Sequence, residues 1–232
     1  MTVTLLQPSY LPWLGYFEQM ARCDAFVFLD DAQFTHRDWR NRNKVRTPTG
    51  WAWLTVPVIQ KHKRRQSLLE TKIDNSVRWK RKHLQTIRHC YARAACFDLY
   101  YPWFEELYSK EWTFLLDICF ETILRVKQVL KIETPTLKIS ELGIGGYKED
   151  RIIGVCEKLG ASRYRTGNIA KNYLSREKFA ERNLELEFQN YKHPVYRQRF
   201  KGFVPYLSII DLLFNHGEDS LDILTQQNSA KA

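Results

Sequence analysis

Two adjacent carboxylates and one histidine are the side chains of this 232-residue chain that best suit acid–base chemistry. Asp30 and Asp31 follow the apolar run 25–29 directly, where at least one can face a cleft, with a perturbed pKa, and accept a proton. The alternative is that one caps the next element and the other is solvated. His193 precedes a proline in an extended or turn conformation, and is either a second base or a structural residue bonded to the backbone. These three are the candidate catalytic residues.

A cationic stretch, residues 36–46, offers hydrogen-bond donors for an anionic ligand. Five Lys and Arg side chains are interleaved there with one tryptophan and two asparagines. Guanidinium and ammonium groups suit a pyrophosphate, and asparagine amides suit a sugar or a base. The alternative is a solvated basic face. The candidate substrate-binding residues in and just before this stretch are Gln33, Arg40, Asn41, Arg42, Asn43 and Lys44.

An aromatic turn, QPSYLPWLGYF at residues 7–17, follows the apolar run 3–6. Plain turns use Gly, Asn or Asp, so this mixture of bulky rings and prolines needs another explanation. One interpretation is that the rings open a helix and pack it on a sheet. The other is that they line a pocket at the carboxyl end of the first strand, with Gln7, Tyr10, Trp13 and Tyr16 supplying hydrogen bonds and a stacking face.

No residue pattern indicates a nucleophile or a metal site. Ser9 lacks a GxSxG elbow, and the five cysteines are scattered without a CxxC pair, so they read as reduced thiols. Asp211 lies in the otherwise apolar stretch LSIIDLLFN and needs a partner, which favours a structural anchor over a site residue. We therefore expect no metal and direct transfer chemistry without a covalent intermediate.

Charge and composition limit the class of protein. A net charge of +10 accompanies 44% hydrophobic residues, which is typical of a globular chain with a basic surface. No apolar run reaches the roughly 18 residues of a membrane span, and the N-terminus does not read as a signal peptide. The expected location is the cytoplasm, without membrane insertion. The basic surface can bind a nucleotide pyrophosphate, an acidic carrier or a nucleic acid.

Strand and helix patterns alternate along the chain. Residues 3–6 and 25–29 read as adjacent buried parallel strands, 135–142, 162–167 and 184–191 as further strands, and 51–58 with 67–74 as a hairpin or two sheet strands. The predicted fold class is α/β, with an open, mostly parallel (Rossmann-like) sheet, helices on both faces and a mainly helical insertion.

The predicted domain organisation follows from these elements. Residues 1–75 and 132–225 form the α/β core, 76–131 a helical subdomain or lid, and 226–232 a disordered tail. Within the insertion, 103–131 reads as one long helix, because apolar residues recur at helical spacing. That stripe is Trp112, Leu116, Cys119, Ile123, Val126 and Leu130. It is expected to be core.

The order of several motifs resembles the WbqC-like protein family. These motifs are QPSYLPWLGYF, FVFLDDAQFTHRDWRNRNKVRTPTGWAWLTVPV, RWKRKH, GASRYRTG and HPVYRQRFKGFVPYLSIIDLLFNHG. The resemblance covers nearly the whole chain. It implies a role in bacterial O-antigen or lipopolysaccharide biosynthesis, in which an acyl or aminoacyl group such as glycyl is added to the amine of a nucleotide-linked amino sugar.

A second resemblance concerns the fold of the N-terminal half. A strand, a turn bearing WLGY, a helix and a buried strand are similar to the start of HIGH-type nucleotidyltransferases. Aromatic residues stand at both histidine positions of that motif, while the glycine still permits a nucleotide phosphate to dock at the helix N-terminus.

The acyl donor and the function class stay open. A thioester on CoA or a carrier protein, an aminoacyl-tRNA, and a free acid with ATP all suit a basic cleft. The alternative function is a nucleic-acid-binding module that uses the basic, tryptophan-rich face of residues 36–93.

Overall fold

A computed structural model describes residues 1–60 and 66–226 of the chain. In these residues the strands are β1 (Thr2–Leu6), β2 (Ala25–Phe28), β3 (Arg42–Thr47), β4 (Gly50–Thr55), β5 (Thr136–Lys138), β6 (Arg163–Thr166) and β7 (Glu185–Phe188). The α-helices are α1 (Leu14–Ala21), α2 (Trp79–Tyr91), α3 (Phe97–Ser109), α4 (Leu115–Val129), α5 (Ile139–Leu142), α6 (Lys148–Lys158), α7 (Arg176–Ala180), α8 (Ile209–His216) and α9 (Ser220–Gln226). Among the described residues, no helix combines the length and the apolarity that a membrane crossing requires.

The central sheet is parallel throughout its described strands, in the order β5-β2-β1-β6-β7. β1 and β2 are neighbours, with Val3 opposite Ala25 and Leu6 opposite Phe28, which confirms the predicted pair. From β1 the chain proceeds to one edge of the sheet and then returns to build the other side from β6. The α/β prediction is confirmed, and the direction of winding reverses between β1 and β6.

Helices cover both faces of the sheet, because successive apolar side chains of a strand point to opposite faces and both sets must be buried. Phe26 and Phe28 point into one hydrophobic cluster together with Leu14 and Phe17 of α1. Val3, Leu5 and Val27 belong to a second cluster, which contains Ile153 and Val155 of α6. A strand whose successive residues are all buried must contact a layer on each side, as its continuous apolar sequence predicts.

The helical insertion shares the first cluster with α1 and β2. Ile87 of α2, Phe104 of α3 and Ile118 of α4 are all buried there. These helices therefore pack on the body of the sheet without a separate core of their own.

The prediction of one helix over 103–131 is wrong. α3 ends at Ser109 and α4 begins at Leu115, and the residues between them bond to the segment 71–73. The amide of Ile73 donates to the carbonyl of Thr113 at 2.9 Å, and that of Leu115 donates to Thr71 at 2.9 Å. These backbone bonds replace a helical turn. The stripe itself is core as predicted, since Leu116, at 4% exposed, and the other five members are buried.

The second sheet is a two-stranded antiparallel ribbon formed by β3 and β4. The prediction paired 51–58 with 67–74, but β4 pairs with the cationic stretch instead, and the turn at 47–50 joins the two strands. Val58 and Ile73 share one isolated bridge. Asn43 and Val45 point inward, whereas Arg42 and Lys44 stand on the outer face. Because its inward-facing residues are uncharged there, this cationic segment can form a strand. Residues 61–65 of the predicted basic loop lie outside the described residues.

The C-terminal region anchors α8. Asp211 is completely buried and accepts hydrogen bonds from the hydroxyls of Tyr91, at 3.0 Å, and Tyr196, at 2.9 Å. These partners support the interpretation of Asp211 as a structural anchor. α8 ends at His216, and α9 follows it to Gln226. The remainder of the predicted tail, 227–232, lies outside the described residues.

Candidate functional site

A cleft of about 550 Å³ lies at the carboxyl ends of the central strands. Its lining includes the last residues of β1 and β6, Leu6 and Thr166, and the residues that follow β1, β2 and β6, which are Gln7, Leu29 and Gly167. This is the place where the winding of the sheet reverses. Open α/β sheets bind their ligands at such a position because the loops on either side of it diverge and leave a crevice.

The aromatic turn forms one wall of the cleft. Trp13 and Tyr16 line it and face Tyr191 and Tyr206, whose ring centroids lie 5.5 and 5.9 Å from that of Trp13. Gly15 permits this arrangement, since a Cβ at that position would overlap the Trp13 indole. The turn thus lines a cleft and also opens α1, so both interpretations made from the sequence describe part of its role.

The conformation of this turn depends on side chains from distant elements. Leu11 has a φ of 46°, and its carbonyl accepts hydrogen bonds from Asn43 Nδ2, at 2.7 Å, and Ser208 Oγ, at 2.8 Å. The amide of Ile209 donates to the carbonyl of Pro12 at 2.9 Å. Because prolines remove two donors from the turn, these external contacts stabilise it.

A buried ion pair joins the elements on either side of the sheet reversal. Glu18 of α1 is completely buried and accepts from Arg165 of β6 at 2.8 Å. Its other oxygen accepts from Gln189, which also donates to the carbonyl of Gly15 at 2.8 Å. The cluster ties the start of α1 to the ends of β6 and β7, and thereby keeps both walls of the cleft in place.

Tyr16, which lines the cleft, ends in a buried hydroxyl. The residue is 5% exposed, and its hydroxyl has no hydrogen-bond partner among the described residues. The hydroxyl of Tyr191, another lining residue, is also buried and without a partner in the same part of the structure. Burial raises the pKa of both phenols, so each stays protonated and can donate a hydrogen bond. Buried hydroxyls usually have partners, so these two suit a bound polar ligand.

Arg40 supplies positive charge to the lining of the cleft. Its Nη1 donates to Ser9 Oγ at 2.9 Å, and its Nε lies 3.4 Å from the carboxylate of Asp38. Ser9 and Gln7 line the cleft beside it. These contacts orient the guanidinium at the mouth, where it can pair with a phosphate.

Asp30 and Asp31 take structural positions outside the lining of the cleft. Asp30 is 1% exposed and accepts from the amide and the hydroxyl of Ser140, at 3.1 and 2.5 Å, because the pairing of β2 with β5 brings together the residues that follow the two strands. Asp31 forms a two-point ion pair with Arg151 of α6, at 3.0 Å for Nη1. Both carboxylates thus have partners within the fold, in Ser140 and Arg151.

His193 lies behind the aromatic wall. Its ring stacks near Trp13, with centroids 6.5 Å apart, and is 5.1 Å from that of Tyr206. Nδ1 donates to the carbonyl of Pro194 at 2.8 Å, which leaves Nε2 as an acceptor that is buried without a partner among the described residues. Burial lowers the pKa of His193, opposed by that carbonyl, so the imidazole is neutral near pH 7.

The other predicted ligand residues are distributed unevenly. Gln7, Trp13, Tyr16, Arg40 and Asn43 line the cleft. Tyr10 is instead completely buried beneath it and bonds to His83 Nδ1, at 3.1 Å, and to the Tyr108 hydroxyl. Burial lowers the pKa of His83 to about 3, so this histidine stays neutral.

Asn41 and Gln33 have no place in the cleft lining. Asn41 is buried and donates to the carbonyl of Val56 at 2.7 Å, and Gln33 is exposed, in an isolated bridge with Ser67. Arg42 and Lys44 stand on the outer face of the ribbon, 4.3 Å from the ring of Trp53 and 4.2 Å from that of Trp51. The structure therefore separates these two cations from Arg40.

Sequence reasoning did not identify Tyr191 and Tyr206 as lining residues. Tyr206 follows Pro205, and Tyr191 lies three residues before Pro194. In this irregular region neither a period nor a motif distinguishes a pocket ring from a packed one. The described residues contain no cluster of three His, Cys, Asp or Glu side chains that could hold a metal ion.

Comparison with known proteins covers almost the entire chain. The model of the WbqC-like protein family matches residues 7–223. A protein of Mycobacterium tuberculosis described as "Uncharacterized protein Rv1507c" is 34% identical over 224 residues, which is 96% of each chain. No solved structure gives a significant match.

Proposed function

The chain belongs to the WbqC-like protein family, and from this premise we propose that it transfers an acyl or aminoacyl group, such as glycyl, to the amine of a nucleotide-linked amino sugar. The observation that carries the proposal is the cleft at the reversal of the sheet, whose lining includes Tyr16 and Tyr191, two tyrosines with buried hydroxyls that no described residue bonds. Its volume of about 550 Å³ suits a small, partly polar ligand.

Each part of a nucleotide-linked sugar has a matching surface in the cleft. The base stacks against Trp13 and Tyr206, and the pyrophosphate pairs with the guanidinium of Arg40. The sugar hydroxyls accept from the Tyr16 and Tyr191 phenols, which burial keeps protonated. The two phenols are assigned to the sugar because no described residue bonds to their hydroxyls.

The transfer needs a group that frees the acceptor amine from its proton. We assign this role to His193, whose Nε2 is unprotonated and whose pKa is lowered by burial. The neutral amine attacks the acyl carbon, the new C–N bond forms, and the bond to the leaving group breaks. The proton first taken from the ammonium is released to solvent, and the second proton, which the nitrogen loses as the amide forms, passes through Nε2 to the leaving group. Because His193 lies behind Trp13 and Tyr206, one of these rings must turn before the amine can reach Nε2.

The donor remains one of three classes: a thioester on CoA or a carrier, an aminoacyl-tRNA, or a free acid with ATP. Transfer to the sugar belongs to surface-polysaccharide biosynthesis, the O-antigen or lipopolysaccharide of a bacterium. We also propose a cytoplasmic location, to which the five free cysteines are suited.

A thermal-shift panel tests ligand class first. A nucleotide-linked amino sugar at about 100 times its Kd stabilises the folded state by roughly 2.7 kcal/mol, which raises Tm by about 5–10 °C in a chain of this size. Arg40→Ala should abolish the shift, whereas Arg125→Ala, an exposed arginine of α4 outside the cleft, should preserve it. No shift with any nucleotide sugar refutes the proposed acceptor.

Turnover tests the base. His193→Gln should bind the sugar nucleotide but lose on the order of 10²-fold or more in kcat. In the wild type, kcat should fall as the pH drops through the lowered pKa of His193 and protonates Nε2. If the variant retains kcat and the acid limb, another group removes the proton.

A further inference from the structure

Trp39, Trp51 and Trp53 form an aromatic cluster on the outer face of the β3–β4 ribbon, in which Trp53 is half-buried. Trp39 is 40% and Trp51 45% exposed, and both rings lie close to Trp53, with centroid distances of 5.2 and 5.4 Å. Indoles are among the most favourable groups to bury, so a cluster left in solvent on a small ribbon indicates a binding surface.

Two cations are interleaved with these rings. Arg42 lies 4.3 Å from the centroid of Trp53, and Lys44 lies 4.2 Å from that of Trp51. The register explains the arrangement, because Lys44 is opposite Trp53 and diagonal to Trp51 on the same face. Neither cation has a carboxylate partner in the described part of the chain, and the one carboxylate of residues 33–60, Asp38, is paired with Arg40.

We propose that this surface, the tryptophan ribbon (Trp39, Arg42, Lys44, Trp51 and Trp53), binds the end of a single-stranded nucleic acid. Bases stack on the indoles, and the phosphates between them pair with Arg42 and Lys44. An acidic peptide uses cations alone and has no need of two exposed indoles and a third, half-buried one. A duplex keeps its base faces closed, so it too leaves the rings without a role. The interleaved pattern therefore favours a flexible strand with unstacked bases.

The position of Trp39 connects the ribbon to the cleft. Trp39 contacts Trp53 and also lines the cleft beside Arg40. A strand on the ribbon can therefore place its end at the mouth of the cleft. Its role there rests on the proposed function: an acyl group esterified to the terminal ribose is attacked by the acceptor amine, the C–N bond forms, the ester C–O bond breaks, and the ribose hydroxyl takes the proton.

Fluorescence anisotropy of a labelled single strand of about 8 nucleotides tests the proposal at low salt. RNA and DNA strands are compared directly, with a duplex of the same sequence and polyglutamate as competitors. Trp51→Ala should weaken binding about tenfold through lost stacking. Lys44→Ala should reduce the slope of log affinity against log salt by about 0.7, the contribution of one phosphate contact on a single strand.

The matched controls are Tyr147 and Lys148, an aromatic–cation pair away from the ribbon. Tyr147 is 73% exposed, with the Lys148 ammonium 5.2 Å from its ring. Tyr147→Ala and Lys148→Ala should leave affinity and salt slope unchanged. Melting curves show whether Trp51→Ala folds, and if it does not, Lys44→Ala provides the test.

Three results overturn the proposal. These are no binding of single strands at low salt, unchanged binding by the ribbon variants, or competition by polyglutamate or duplex as strong as by the unlabelled strand. The last result assigns the surface to an acidic partner or to a general polyanion. Binding of the nucleotide sugar in the cleft is measured separately, by thermal stabilisation of the wild type and of Arg40→Ala. A failure of strand binding on the ribbon is therefore distinguishable from a failure of nucleotide-sugar binding.

Discussion

Replacing Tyr16 with phenylalanine removes one oxygen atom from the wall of the cleft and nothing else. The ring packs against Phe17 and Phe26, with centroids 5.6 and 5.3 Å away, and the substitution retains both contacts. Its hydroxyl is buried without a hydrogen-bond partner in the described residues. The free protein therefore carries the desolvation cost of that hydroxyl, and a bound ligand is the proposed compensation.

The expected magnitudes follow from this geometry. An unsatisfied buried hydroxyl costs about 1–3 kcal/mol, so Tyr16→Phe should leave the free energy of unfolding unchanged or raise it by up to that amount. In a chain of this size, each kcal/mol changes Tm by about 2–4 °C. A hydrogen bond worth about 0.5–1.5 kcal/mol is lost with the ligand, so the affinity for a nucleotide-linked amino sugar should fall roughly 2- to 12-fold.

Tyr108→Phe is the matched control. Tyr108 is also buried, but its hydroxyl bonds to that of Tyr10 and it does not line the cleft. This variant should lose about 1 kcal/mol of stability and keep its ligand affinity. Thermal unfolding with and without the nucleotide sugar measures both quantities for each variant.

The reverse result contradicts the reasoning. If Tyr16→Phe unfolds more easily than the wild type by over about 1 kcal/mol and binds the ligand equally well, the Tyr16 hydroxyl supports the fold and not the ligand. If both variants lose stability and neither loses affinity, the cleft is not the nucleotide-sugar site.

Two further predictions concern stability. Leu116→Ala should lower the free energy of unfolding by about 2–5 kcal/mol through a cavity in the first hydrophobic cluster, and a loss under about 0.5 kcal/mol in denaturant titrations is incompatible with a core position. Burial raises the pKa of Asp211 from 3.8 to about 6. Between these pH values the folded state holds a proton on Asp211 that the unfolded state has lost, so the contribution of this group to stability falls as the pH rises through 6. The advantage of the wild type over Asp211→Asn should therefore shrink by about 2 kcal/mol between pH 4 and 7, and an advantage that is constant or grows means that the Asp211 carboxylate is not disfavoured by burial.

The sequence could predict the parts of the site that belong to regular, locally encoded elements. Val3–Leu6 and 25–29 are apolar at every position, and such runs are typical of parallel strands covered on both faces. Parallel strands place their carboxyl ends at one edge, so the aromatic turn after β1 could be expected there. Trp13 and Tyr16 line the cleft for this reason.

Partners far apart in the chain decided the remainder. Asp30 and Asp31 looked available for chemistry, but their partners, Ser140 and Arg151, lie 110 and 120 residues away and are set by the β2–β5 register and the packing of α6. No local pattern encodes that choice. The break between α3 and α4 has a similar origin, because the backbone of 113–115 bonds to 71–73 in place of a continuing helix.

The separation of the cations shows the same limit. The sequence by itself determined a basic, tryptophan-rich segment, together with the α/β order of elements that brings it to the cleft edge. Only the tertiary structure decided that Arg40 faces the cleft while Arg42 and Lys44 stack on indoles outside it. The physical reason is that β3 begins at Arg42. Arg40 precedes the strand and is oriented by Ser9 and Asp38, whereas Arg42 and Lys44, two residues apart, share the outer face of the ribbon that forms when β3 pairs with β4. That pairing is a long-range choice made by packing.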